Sequence, residues 1–503
     1  MFRITNSMMY NNSLTNMYKQ NEGLYTASEQ ISSGKRVNRP SDDPLAIGEI
    51  MQYQTRLDRN DRYSIIGQKA KGYLGTSESL VASTTEIATR ARELAMGQAS
   101  GSSTPATRRT TAAEIDNLLA QAIQIGNSKI GSDFIFGGRV TNNPPLSASG
   151  TYTGDHQSMQ SDVSEGATIP SSVLASDFLS ADMNPRLNNS TSLSALRGGQ
   201  GISAGSFTIT DRAGATGSVT VGAGSTVGSL IGAINASGAN VTASIASDGM
   251  SIQIKDNNTT NVTGPITITN TSGTTASDLG IGGSRNVGLF SGDNMNPSVT
   301  ASTLLSDLQG GNGLTATSIS VVNGATSATV TFAGATTVGD IINAINASGA
   351  NVTAGINSSK SAMTMTSNNA STVAYALDLN AGKTAEVLGI GGGRNLVSTL
   401  QKLSAAMKGN DVHAISGLME NLSSSIDASS ALRGEIGARI NRLDTNTAQL
   451  DQSKADTTTL LSNAQDADMA KAISDFSLLQ AAYQATARAT AQIIQPTLMN
   501  FLK

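Results

Sequence analysis

The stretch that decides the fold is the last one, Met469 to Phe501, MAKAISDFSLLQAAYQATARATAQIIQPTLMNF. Two apolar series run through it at seven-residue spacing. One is Met469, Phe476 and Tyr483; the other is Ile473, Ala487, Ile494 and Phe501, with Gln480 in the missing slot. Interleaved three and four residues apart, they form a seam on one side of a helix, which is coiled-coil arithmetic. Pro496 lies so close to the end that it spoils little of that helix. A one-sided seam is not stable alone in water and needs a partner helix. The first residues offer one: Tyr10, Met17, Leu24 and Ile31 are each seven apart, with Leu14, Tyr18 and Tyr25 beside them. Two readings fit this pattern. The ends form an antiparallel helix pair inside one molecule, or they are sticky helices through which the chain polymerises.

Composition narrows the classes. The chain has 503 residues, enough for three or four domains. A net charge of −4 carries no nucleic-acid footprint. With no cysteine and no tryptophan, the core rests on Leu, Ile, Val, Ala and Met, and thiolate chemistry is excluded. The first twenty residues lack the apolar core of a secretory signal, and no stretch approaches the ~20 apolar residues of a membrane span. The expectation is no nucleic-acid partner and no membrane insertion.

The first helix stops at Ser33-Gly34, where glycine suits the left-handed position past a helix end. Lys35 to Pro44 is a turn that restarts a helix, with Asp43 as cap and Pro44 at the first helical position. Asp42 and Asp43 as metal ligands is the lesser reading, because no third carboxylate follows at regular spacing. The spacing predicts a helix over 45–68, a second one carrying Leu80, Ile87 and Leu94, and a third starting at Thr104-Pro105. Arg56, Arg59 and Arg62 line one face, read as solvated or intersubunit since Asp58 and Asp61 interleave with them. Phe134-Ile135-Phe136-Gly137-Gly138 then marks a strand and turn.

Between Pro144 and Gly393 charges thin out and period-two alternation takes over, as in Phe207-Thr208-Ile209-Thr210. The decapeptide Ile234 to Ala243 (INASGANVTA) recurs letter for letter from Ile345 to Ala354. A short amphipathic helix precedes each copy, and Leu279-Gly280-Ile281-Gly282-Gly283 or Leu388-Gly389-Ile390-Gly391-Gly392 follows it. That is a duplication. Helical pattern resumes at Leu396, reaches Lys408, and restarts as a long helix through Ile415, Leu418, Leu422, Ile436, Leu443 and Leu450. Gln465-Asp466-Ala467-Asp468 breaks it before the closing helix.

The expected fold class is α+β multidomain: a long helical bundle or coiled coil formed by both chain ends, with β-rich domains inserted in the middle. The expected divisions are a terminal segment 1–40, a helical domain from 41–143 with 395–464, and a closing segment 465–503. A linker or β-rich segment covers 144–200, the repeat units cover 201–290 and 311–394, and a second linker covers 291–310.

Little in the chain reads as chemistry. His156 and His413 lack cysteine partners and metal-ligand spacing. The Gly-rich pieces around Gly282 and Gly391 lack a phosphate-loop Lys-Ser/Thr. Paired carboxylates for glycosidic cleavage meet only in space, which linear order does not encode. No catalytic residue, cofactor or metal is expected.

The segments Ile31 to Asn38 (ISSGKRVN) and Ser41 to Ala46 (SDDPLA) resemble the N-terminal signature of the flagellin superfamily. The opening Met1 to Thr5, Asp42-Asp43-Pro44, Phe134 to Gly138, Asp466 to Ala470 and Leu498 to Leu502 resemble its hook-associated branch. Flagellins proper usually have Ala-Gly where Pro44-Leu45 stands. The resemblance covers roughly residues 1–145 and 395–503. It implies a structural axial protein of the bacterial flagellum, placed outside the cell where hook meets filament. The assembly residues it implies are Tyr10, Met17, Leu24, Ile31, Met469, Ile473, Phe476, Tyr483 and Ile494. The signature turns are Gly34, Asp42, Asp43, Pro44, Phe134, Phe136, Gly137 and Gly138. Its implied partners are a homo-oligomeric ring, hook-associated protein 1 on the hook side, flagellin on the filament side, and an export chaperone with the type III export apparatus. Termini that order only on assembly are also implied, as is export without a cleavable signal. A minor flagellin, or an axial protein whose middle repeats act as an adhesin, are the alternative readings.

Overall fold

The computed structural model describes residues 6–258 and 264–499, with side chains given at 8–9, 11–258 and 264–491. The opening Met1 to Thr5, Phe501, the Asn500 to Leu502 part of the closing motif, and the side chains of Tyr10 and Ile494 lie outside the described residues. The chain divides into two compact units. One holds residues up to 69, 162–168 and 442 onward; the other holds 70–161 and 169–441.

In the first unit the opening helix, Asn6–Ser33, lies antiparallel to the closing helix, Met469–Met499. Gln20 Nε2 donates to Thr486 Oγ1 at 3.1 Å, and Thr490 packs against the Met17 sulfur. The two ends thus pair within one chain. Beside this pair, the start of the second helix (Pro44–Gln98) packs on the end of the long penultimate helix (Val412–Gln465). Val37, Ala46 and Ile50 are buried there with Ile47, Leu461 and Ala464 against them. Asp61 and Lys454 pair at 2.7 Å, and Arg56 and Asn60 both reach Ser453. Arg59 meets Glu165 at 3.2 Å.

The sequence pattern predicts two helices between residues 45 and 98; the structure has one continuous helix, Pro44–Gln98. Its inward positions, 46, 50, 53, 57, 60, 64, 67, 70, 74, 77, 81, 84, 88, 91 and 95, follow three-four spacing throughout. Asn60, Ser64, Gly67, Ser77 and Thr84 occupy five of them. A seam of small and polar residues allows close approach of helices but interrupts apolar periodicity, so the eye breaks the helix where the chain does not.

The second unit has a helical part and two repeats. Pro105–Gly126 packs against Leu396–Gly409. The former starts as expected, with Thr104 and Thr107 exchanging capping hydrogen bonds ahead of Pro105. Each repeat is a hairpin, a helix, a second hairpin and a strand that returns to pair with the first. In copy one these are Gly205–Thr210 with Thr216–Val221, helix Val227–Asn235, Val241–Ile245 with Ile252–Asp256, and Ile266–Ser272. In copy two they are Ile319–Asn323 with Thr326–Val330, helix Val338–Asn346, Val352–Ile356 with Met363–Ser367, and Ala374–Asp378. The shared decapeptide has a visible cause. Asn235 grips Ala243 through its side-chain amide, donating to the carbonyl at 3.2 Å and accepting the N–H at 2.6 Å. Asn346 grips Ala354 the same way, at 3.2 and 2.7 Å.

The segment expected as a linker or β-rich piece, 144–200, contains the strands Gln160–Ser164 and Ala167–Pro170, and both it and 291–310 contribute to the repeat cores. Leu187, Leu193 and Leu196 belong to the core of copy one, and Val299, Leu305 and Leu308 to that of copy two. The repeat begins earlier than its decapeptide advertises. Leu193 to Gly201 (LSALRGGQG) and Leu305 to Gly313 (LSDLQGGNG) share a Leu-Ser-x-Leu-x-Gly-Gly-x-Gly frame. Both run through left-handed backbone at matching places, Arg197 and Gln309 at φ 55° and 53°, Gly198 and Gly310 at 65° and 66°. That coincidence marks them as one motif.

Candidate assembly interface

The signature turn ties the two chain ends together. Gly34 has φ 71°, which ends the opening helix in the left-handed region. The chain then runs beside the break before the closing helix: Lys35 bridges Asp466, Arg36 N donates to Gln465 O, and Ala467 N donates to Gly34 O. Asp42 Oδ2 accepts the backbone N–H groups of Asn38 and Arg39 at 3.0 and 2.8 Å, folding the turn. Asp43 Oδ1 accepts those of Leu45 and Ala46, capping the second helix, while its other oxygen holds Arg36 at 3.0 Å. Arg36 also donates to Ala464 O at 2.8 Å. The Arg39 and Asn38 amides hold the Asp42 carboxyl below its ordinary range; the Ala46 amide and Arg36 do the same for Asp43. These carboxylates are engaged as caps. Among the described residues no group of three or more acidic or imidazole side chains could hold a metal.

The terminal pair has two faces. Met17, Leu24 and Ile31 are half-buried and Ala27 is buried, so the expected opening seam faces inward. On the closing helix the inward positions are Ala472, Phe476, Leu479, Tyr483, Thr486 and Thr490, again three and four apart. Phe476 and Tyr483 were expected there. Met469 and Ile473 were too, but they are exposed, at 40% and 52%. The interior register uses Ala472 and Leu479 where the heptad series has Ile473 and its vacant slot at Gln480, while Thr486 and Ala487 are both half-buried. Gly23 makes room there for Leu479, an added Cβ at that position falling 3.2 Å from the leucine side chain. Further large apolar side chains lie on the outside of the pair, with Tyr18 at 71%, Tyr25 at 62% and Leu478 at 69% exposure. Leu45 and Met51 on the second helix are exposed as well.

The other signature, Phe134 to Gly138, is a plug. Its strand is only Asp133–Phe134, shorter than expected, pairing with Lys129–Ile130. Phe134, Ile135 and Phe136 are buried, and Phe136 meets Phe178 edge-on with centroids 5.1 Å apart. Gly138 has φ 71° and lies against Asp155, whose Oδ1 accepts the Arg139 and Gln157 amides at 2.8 and 3.2 Å. The Tyr152 hydroxyl donates to Asp155 O. His156, weighed above as a metal ligand, lies 3.6 Å from Asp182 with both side chains buried. Burial raises the Asp182 carboxyl above its usual range. His413 is exposed near the start of the penultimate helix.

Comparison with known proteins follows from this geometry. Residues 4–134 match the bacterial flagellin N-terminal helical region, and residues 419–502 match the bacterial flagellin C-terminal helical region. Both ends of the chain are thus similar to the helical regions of bacterial flagellin. Among curated proteins it is similar to the Flagellar hook-associated protein 3 of Salmonella typhimurium, 27% identical over 169 residues, covering 33% of this chain and 53% of that protein. The Escherichia coli protein of the same name is 27% identical over 163 residues, covering 32% and 51%. The chain thus spans about half the length of the curated relatives it matches. Among solved structures, FlgL of Xanthomonas campestris aligns over 82% of this chain and 99% of its own, at 13% identity and a TM-score of 0.36.

Proposed function

We propose that this chain is a structural, non-catalytic subunit of the bacterial flagellar axis, joining the hook side to the flagellin filament. The observation that carries the reading is the terminal helix pair: its inner seam is filled by the chain itself, while several large apolar side chains on its outside stay exposed. Apolar area of that kind, on helices of flagellin type, favours packing against neighbouring copies, at roughly 25 cal/mol per Å² removed from water. In this reading Met469 and Ile473 serve between subunits, with Tyr18, Tyr25 and Leu478. Met17, Leu24, Ile31, Phe476 and Tyr483 hold the pair within one subunit, and Tyr10 and Ile494 continue the same series. Gly34, Asp42, Asp43 and Pro44 fix the turn on which the pair depends.

The proposed partners are further copies in a ring, hook-associated protein 1 on one side and flagellin on the other. An export chaperone and the flagellar type III apparatus would deliver the chain. Immunogold electron microscopy of isolated flagella tests the placement. Label clustered between hook and filament supports it, whereas label along the whole filament makes the chain a flagellin and removes the junction role.

A further inference from the structure

The two repeats bind each other through a reciprocal set of contacts. Copy one opens with Met183-Asn184-Pro185-Arg186, and copy two with Met295-Asn296-Pro297-Ser298. Each opening segment lies on the other copy. Met183 N donates to Ser361 O in copy two, and Met295 N to Met250 O in copy one, at 2.9 and 2.8 Å. Arg186 N donates to Asp307 O and Ser298 N to Ala195 O, at 2.8 and 2.7 Å. In return Gln309 N and Gly310 N donate to Met183 O and Asn184 O, as Arg197 N and Gly198 N donate to Met295 O and Asn296 O. Each bond in one direction has its equivalent in the other.

The side chains follow the same exchange. Met183 is fully buried in the core of copy two, and Met295 is buried in the core of copy one. Four residues on, Leu187 is back in the core of copy one and Val299 in that of copy two. The crossing occurs at Asn184-Pro185 and Asn296-Pro297, where both asparagines take positive φ, 40° and 37°. Proline after each one restricts the backbone and disfavours folding back.

An interface in which i meets j and j meets i is isologous, the kind that joins identical subunits about a two-fold axis. We infer that each repeat is a self-complementary module whose partner is a second copy of itself, docked by exchanging opening segments. Tandem duplication supplies that partner inside one chain. A chain with one repeat leaves an empty methionine slot and an unmatched opening segment, and only another molecule provides both.

The test removes residues 183–294 from the full chain, so that Asp182 leads into Met295-Asn296-Pro297 as it now leads into Met183-Asn184-Pro185. Sedimentation equilibrium compares this protein with the parent at equal concentrations. Both carry the same terminal helices, so association through the termini affects both alike. The expected result is twice as many chains per particle in the one-repeat protein. An association state equal to the parent's overturns the inference. A second measurement needs only the full-length protein, whose lack of cysteine makes it clean. Ser298 Oγ donates to Ala195 O at 2.9 Å, so Ala195→Cys with Ser298→Cys joins the opening segment of copy two to copy one. Loss of both thiols on oxidation, with the chain still running as one, supports the exchange. A pair that stays reduced overturns it, even where the shortened chain does not fold.

Discussion

Replacing Gly138 by alanine separates two costs that one residue carries. The first is conformational: φ is 71°, and an L-residue in the left-handed region costs about 1–2 kcal/mol. The second is steric. A Cβ at Gly138 would fall 1.9 Å from Asp155 Oδ1, the oxygen that accepts the Arg139 and Gln157 amides. Asp155 has to move, and a lost hydrogen bond to a charged acceptor is worth about 1.5–3 kcal/mol. Together the loss is about 2.5–5 kcal/mol. Gly131 is the control in the same unit. Its φ is 66° and nothing lies within 4 Å of its missing Cβ, so Gly131→Ala pays only the conformational term, about 1–2 kcal/mol. Native-state hydrogen exchange reads local opening directly. In Gly138→Ala, amides of 134–157 should exchange roughly 10²- to 5 × 10³-fold faster, against about tenfold for Gly131→Ala. Equal acceleration in the two variants would show that Asp155 is not set by the absence of a Cβ, and the account of this signature would fail.

Phe136→Ala removes a fully buried ring and its contact with Phe178, and should cost about 3–5 kcal/mol, read as a lower denaturant midpoint. Tyr18→Ser with Leu478→Ser removes exposed apolar area only: stability should stay within about 0.5 kcal/mol while incorporation into flagella falls. Normal incorporation would exclude these side chains from the interface. Burial lowers the Lys402 ammonium, which donates to Ile390 O at 2.9 Å, to about 8. Between that value and about 10.4 the unfolded chain binds more protons, so stability rises with pH in that window. Lys402→Met should therefore melt higher than the parent at neutral pH, with the gain shrinking as pH passes through the window. Asp340 accepts the Thr336 and Thr337 amides and titrates at about 2. Its contribution is complete above about pH 4 and lost as pH falls through 2, which a carboxyl NMR titration checks.

Much of this architecture is legible in the residues. Thr104-Pro105, Asp43-Pro44 and Ser33-Gly34 announce helix ends because capping chemistry is local. The decapeptide announces the duplication because an asparagine must grip a strand in each copy. What stays hidden depends on partners distant in sequence. The second helix looks interrupted because Ser64, Gly67 and Ser77 are chosen for close approach rather than hydrophobicity. Met469 and Ile473 look like interior residues because they are larger than Ala472, which the opening helix prefers at that height. The start of each repeat escapes notice because Met183 and Met295 pack in the other copy, so neither continues the alternation of its own.

The identical decapeptides also bear on how such a chain changes over generations. A recombination that joins the first decapeptide to the second removes one copy and leaves Ile234 reading directly into Asn346, with every local contact of the motif spelled as before. The reverse event adds a copy just as cleanly. Because the splice falls between the helix and the second hairpin of the module, copy number can drift without a single altered residue in the helices that anchor the ends.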